Sequence, residues 1–167
     1  MQKILHIIDS ISEYSGKIFA WIIVILTVII AYETMVRYVF DSPTVWISET
    51  SNYLFGTFVV MGGAYALKYK AHVSMDIIYT RFSFRTQAII DIITSIGFFA
   101  FMYALIITGF NRAMAATVFM ERSGSVWNPY LFPIKWVLPI GATLLLLQGI
   151  AKLIRDIMTV IKGEDLR

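Results

Sequence analysis

The chain has 167 residues, 58% of them hydrophobic and 15% charged, with a formal net charge of +3 and a mean hydropathy of +0.73. So little polar surface excludes an independent soluble module, and one polytopic membrane domain over residues 1–167 is expected. No cysteine is present, which excludes disulfides, thiolate metal sites, iron–sulfur clusters and thiol redox chemistry. His6 and His72 both lie outside the apolar stretches, so a haem carrier with paired intramembrane histidines is excluded as well.

Four charge-free apolar stretches cover residues 18–32, 50–67, 92–111 and 136–151. With snorkelling ends each reaches the roughly 20 residues that cross the hydrocarbon core. The expected fold class is therefore all-α integral membrane. It comprises four transmembrane helices with N-terminal and inter-span amphipathic interfacial helical segments.

Residues 1–14 set Ile4, Leu5, Ile8, Ile11 and Tyr14 on one helical face, a pattern that suits an interfacial helix leading into the first span. A merely solvated tail is the alternative. No small-x-small site follows the first apolar run, and Tyr32, Glu33 and Arg37 come next, so that run is expected to be retained as a span. Asp41-Ser42-Pro43 reads as a turn and helix start, with Ser42 as N-cap and Pro43 as first helical residue. Trp46, Glu49 and Tyr53 then share one face at interface depth.

The second span is poor in side-chain bulk through Gly56, Gly62, Gly63, Ala64 and Ala66, and the third carries Gly97, Ala100, Ala104 and Thr108 along a similar seam. Such seams allow close backbone approach, either to each other within the chain or to a partner protein. The third helix meets no strong stop before Ser123-Gly124-Ser125 and is expected over about residues 86–122, roughly 55 Å, longer than the hydrocarbon core is thick. Pro129, Pro133 and Pro139 punctuate the return, Pro139 marking a helix start or a kink. Lys135 with Trp136 reads as an interfacial anchor.

Ten basic residues (Lys3, Lys17, Lys68, Lys70, Arg81, Arg85, Lys152, Arg155, Lys162, Arg167) fall on one side of the four stretches, against four (Arg37, Arg112, Arg122, Lys135) on the other. The bias orients both termini and the middle loop to the cytoplasm and gives no nucleic-acid patch.

Glu33 is the one carboxylate at intramembrane depth, which raises a self-sufficient, homodimeric, proton-coupled four-span exporter as a reading. Arg37, one turn later in the favourable acid-then-base order, offers a structural ion pair instead. Glu49 is a further candidate partner for Arg37, and Asp91 is expected to pair with a loop residue such as Arg85 or Lys68 rather than to relay protons. His72 and Asp76 form one helix-spaced pair with no further ligands, and no nucleophile–base constellation is present, so no metal, cofactor or catalytic site is expected.

Arg37-Tyr38-Val39-Phe40, Trp46-x-x-Glu49, Gly62-Gly63-Ala64-Tyr65-Ala66-Leu67-Lys68 and His72-Val73-Ser74-Met75-Asp76 occur in that order. Together they resemble the small membrane subunit of tripartite ATP-independent periplasmic (TRAP) transporters, the DctQ-like family. The resemblance implies a bacterial inner-membrane secondary transporter with a large DctM-like permease subunit and a periplasmic substrate-binding protein as partners. Sodium and substrate sites would lie on the large, elevator-type subunit, with this chain as scaffold. A dicarboxylate, sialic acid, another sugar acid or a sulfonate would all fit as the imported anion. Arg37, Trp46, Glu49, Gly62, Gly63, His72 and Asp76 are the resulting structural or interface candidates.

Overall fold

In the computed structural model, which describes residues 2–69 and 82–162, four helices follow in order. They are α1 (Gln2–Val39), α2 (Ile47–Lys68), α3 (Phe84–Val118) and α4 (Phe132–Lys162). Among the described residues the only extended pairing is an isolated bridge between Arg122 and Tyr130. The expected His72–Asp76 segment lies outside the described residues.

Among the described residues, three helices are long and apolar enough to cross a membrane: Leu5–Val39 within α1, Phe84–Val118, and Phe132–Ile161 within α4. Four were expected. The 22 residues of α2 span about 33 Å, but Ser48, Glu49, Thr50, Ser51 and Asn52 fill its first two turns and dilute the apolar run behind them.

α1 is one unbroken helix of 38 residues, about 57 Å, so residues 2–14 continue the span and do not form a separate interfacial helix. Their buried face also differs from the expected one. Leu5 and Ser12 are buried while Ile7, Ile11 and Tyr14 are exposed, because polar groups on α1 meet polar groups on its neighbours; the side chain of Ile4 is outside the described set. α2 starts at Ile47, with Trp46 as its uncapped N-terminal neighbour, and not at Pro43. Residues 40–46 instead turn back onto the end of α1, where the Ser42 N–H donates to the Val36 carbonyl at 3.2 Å and Asp41 adopts φ +47°.

α3 begins where Ser83 caps it, accepting from the Thr86 N–H, and runs about 52 Å. It ends at Val118, before the expected stop, as Met120 turns to φ +46°. Pro139 falls inside α4, seven residues past its start.

α4 is the hub. It packs along α3 on one side and α2 on another and meets α1 at one end, while α1 lies along α2. Small residues set these approaches. A Cβ on Gly141 would stand 2.5 Å from Val60 Cγ1 and 3.0 Å from the Val60 carbonyl oxygen, and one on Gly16 would stand 2.5 Å from the Tyr65 ring. Gly149 backs onto the Phe98 ring, and Gly109 lies against Leu138 and Pro139.

The seam of α3 that packs is Ala88, Met102, Gly109, Ala113 and Ala116. The expected seam of Gly97, Ala100, Ala104 and Thr108 is exposed and points away from the chain. Both faces of α3 carry small residues, and only the complementary knobs on α4 decide which is used. Gly56 and Gly62 of α2 likewise face open space, whereas a Cβ on Gly63 would stand 3.8 Å from Leu145 Cδ2 and Ala64 is fully buried.

Gly141→Ala should therefore lower stability by about 1–3 kcal/mol through overpacking against Val60, outweighing a helix-propensity gain of up to about 1 kcal/mol. Gly62→Ala, with nothing near it, should leave the thermal unfolding midpoint in detergent unchanged or raise it slightly.

Candidate functional site

Two polar assemblies close the two ends of the helix group. The first gathers where α1 and α3 begin and α2 and α4 end. Asp9, Ser12, Glu13 and Lys17 occupy neighbouring turns of α1; Gln148, Lys152, Arg155 and Asp156 do the same on α4.

Gln148, 1% exposed, joins them. Its Oε1 accepts from Ser12 Oγ at 2.8 Å and its Nε2 donates to Asp9 Oδ1 at 3.0 Å. Arg155 pairs with the other oxygen of Asp9. Lys68, in the last turn of α2 where a cation also suits the helix dipole, donates to Glu13 Oε2 at 2.7 Å and to the Asp9 carbonyl at 3.2 Å. Lys17 holds the second oxygen of Glu13 at 2.5 Å. On the far side of α4, Lys152 reaches Asp91 of α3 at 2.8 Å and Asp156 of its own helix at 3.7 Å.

All four helices are thereby tied by matched charges. Neither Arg85 nor Lys68, the examples expected for Asp91, pairs with it among the described residues, and the rest of the expected 70–81 loop lies outside them. Lys68 is committed to Glu13, and α4 brings Lys152 across the α3 seam instead.

The second assembly lies at the opposite end. Glu33, 9% exposed, accepts on Oε1 from Arg37 Nη2 at 2.6 Å and Nε at 3.0 Å. Its Oε2 accepts from Thr44 Oγ1 at 2.6 Å and from the Thr44 N–H at 3.4 Å. Four donors on one carboxylate make it a fastening for the α1–α2 connection. Glu49 does not pair with Arg37; it accepts from Ser123 Oγ at 3.4 Å, linking α2 to the 119–131 connection.

That connection folds back on itself through Ser123 N–H to the Pro129 carbonyl at 3.0 Å and Leu131 N–H to the Glu121 carbonyl at 2.8 Å. Gly124 takes φ +71° at its tip, where a side chain would be strained. Lys135 pairs with Glu121 at 2.5 Å, and Trp136 donates from Nε1 to Thr117 Oγ1 at 3.1 Å with its ring edge-on to Phe110. The anchor expected at Lys135 and Trp136 thus binds α4 to the end of α3.

Of the candidate residues, Arg37, Trp46 and Glu49 gather at this second end, Gly62 is open and Gly63 is half-buried against α4. His72 and Asp76 lie outside the described residues. Asp9, Ser12, Gln148, Lys152, Arg155 and Asp156 were not singled out by sequence reasoning; the signal available was the i, i+4, i+7, i+8 spacing of 148, 152, 155 and 156 on one helix face. Among the described residues no group of three His, Asp or Glu side chains converges to hold a metal.

Residues 26–159 match the family described as Tripartite ATP-independent periplasmic transporters, DctQ component. No individual curated protein matches the chain. The matched stretch takes in α2, α3, most of α4 and the whole Glu33 assembly, while Asp9, Ser12 and Glu13 precede it. The chain belongs to the DctQ component family, and is a membrane component of a tripartite transporter.

Proposed function

We propose that this chain is the scaffold subunit of a sodium-coupled secondary transporter in the bacterial inner membrane. It braces the static part of a large elevator-type permease that imports an organic anion delivered by a periplasmic binding protein. On this reading α2 crosses the bilayer as a fourth span, shielded by its neighbours and the partner, and the ten-to-four distribution of basic residues places the Asp9 assembly and both termini in the cytoplasm.

The observation that carries the reading is the outward direction of the small-residue faces. Among the described residues, a Cβ on Gly56 or Gly62 of α2 or on Gly97 of α3 would meet nothing within 4 Å, and Ala100 and Ala104 are exposed, yet small residues in membrane helices serve close helix packing. Glu33 supports it from the other side. A proton-coupling carboxylate must gain and lose charge during the cycle, whereas Glu33 is held by Arg37 and Thr44 at the end of its helix. Sodium and substrate sites belong on the large subunit, and no broken helix or midplane ion site of the transporter kind occurs among the described residues of this chain.

Affinity purification should recover a much larger polytopic protein with this chain. Gly62→Leu or Ala104→Leu should cut that recovery roughly five- to tenfold without changing the chain's own unfolding midpoint, while Val28→Leu at an exposed apolar site should not. Recovery independent of all three substitutions would contradict the assignment of these faces.

Glu33→Gln should reduce transport only in proportion to assembled complex lost, with sodium and substrate dependence of the surviving complex unchanged. A fully assembled but uncoupled Glu33→Gln complex would overturn the scaffold reading in favour of an exporter-like carboxylate.

A further inference from the structure

Between the first turns of α2, the start of α4 and the 119–131 connection lies an open groove of about 320 Å³. One wall is Thr50, Tyr53, Leu54 and Thr57, a single face of α2; the other is Ile134 and Val137 of α4, and Trp127, Pro129 and Tyr130 close its mouth. The walls are apolar in effect, since both threonine hydroxyls are spent on backbone carbonyls, Thr50 on Trp46 at 2.8 Å and Thr57 on Tyr53 at 2.7 Å.

Two polar groups remain. The Tyr53 hydroxyl, within electrostatic reach of Glu49, makes no hydrogen bond among the described residues. Arg122 flanks the groove beside its lining residue Tyr130, with the guanidinium 4.2 Å from that ring's centroid, Nη2 donating to the Tyr130 hydroxyl at 2.6 Å and Nη1 to the Asn128 carbonyl at 3.5 Å. It is exposed and has no carboxylate partner among the described residues, because Glu121 is taken by Lys135 and Glu49 receives Ser123.

A groove with hydrocarbon walls, a free phenol and an unmatched cation at an aromatic rim calls for an amphiphile with an anionic head. We infer that it holds a glycerophospholipid of the bilayer, with its phosphate on Arg122, its ester region at Tyr53 and one acyl chain along Leu54, Ile134 and Val137. Guanidinium on phosphodiester is a charge-assisted contact, and Trp127 and Tyr130 sit where interfacial aromatics are favoured. The bound lipid would complete the packing between α2 and α4 at their Tyr53 and Val137 end, beyond the close approach of Gly141 to Val60. Membrane orientation decides only which leaflet supplies the lipid, so the inference does not stand or fall with the scaffold reading.

The test uses the transporter complex containing this chain, reconstituted in nanodiscs with phosphatidylglycerol that carries a diazirine near the end of one acyl chain. After photolysis, labelled positions are read by mass spectrometry. Labelling at Leu54, Ile134 and Val137 should exceed that at lipid-facing Val28. It should fall roughly tenfold in Arg122→Gln, recover in part in Arg122→Lys and vanish in Val137→Trp, with labelling at Val28 constant throughout. Arg122 is exposed but also donates to Tyr130 and Asn128, so the unfolding midpoint of each variant is measured alongside, and labelling is compared between variants that keep the parent's midpoint. Groove labelling equal to that at Val28 and indifferent to Arg122→Gln would overturn the inference, as would a groove labelled in the isolated chain but shielded in the complex, since a protein partner would then be its occupant.

Discussion

The arrangement depends on one constraint: in a low-dielectric surround, a charge or an amide without a partner costs more than any single packing contact returns. Gln148 and Asp9 meet that constraint for α1 and α4, and their partners extend it to α2 through Glu13 and Lys68. Lys152 extends it to α3 through Asp91. Apolar burial between lipid-facing helices supplies little, because lipid tails are as apolar as leucine. The close approaches at Gly16, Gly141 and Gly149 therefore supply dispersion and register, and the polar groups select which helix faces meet.

Rigidity at both ends follows from the same chemistry. The Asp9 assembly joins four helices, and at the other end Glu33 fixes the α1–α2 connection while Glu121, Lys135 and Trp136 fix the α3–α4 connection. A subunit clamped at its two ends is suited to stand still while another moves, which is the mechanical sense of the scaffold proposal. What the chain leaves uncovered bears on that proposal, since the small-residue faces on α2 and α3 are open among the described residues.

Much of this was legible in the sequence. Charge-free stretches located the helices, the Glu33–Arg37 spacing foretold their pair, and the absence of an early stop in α3 foretold its length. What was hidden has a common cause. Hydropathy cannot separate a lipid-facing from a protein-facing surface, so the Gly97 to Thr108 seam and the true seam at Gly109, Ala113 and Ala116 looked alike. Helix propensity at Ser42-Pro43 gave way to tertiary bonds that Thr44 and Ser42 make to the end of α1. Spacing near Asp91 could not announce Lys152, a partner 61 residues away on α4. The mature site is a product of long-range pairing, which spacing along one helix reports only as an unexplained polar stripe.

The most direct test of the account is a double-mutant cycle on Asp9 and Arg155, measured as unfolding free energy of the purified chain in mild detergent. Asp9→Asn and Arg155→Gln should each destabilise, and the double variant should recover a coupling of about 1–3 kcal/mol, because removing both charges leaves neither unmatched. Single effects that simply add, to within about 0.5 kcal/mol, would show that the polar assembly does not hold the helices together.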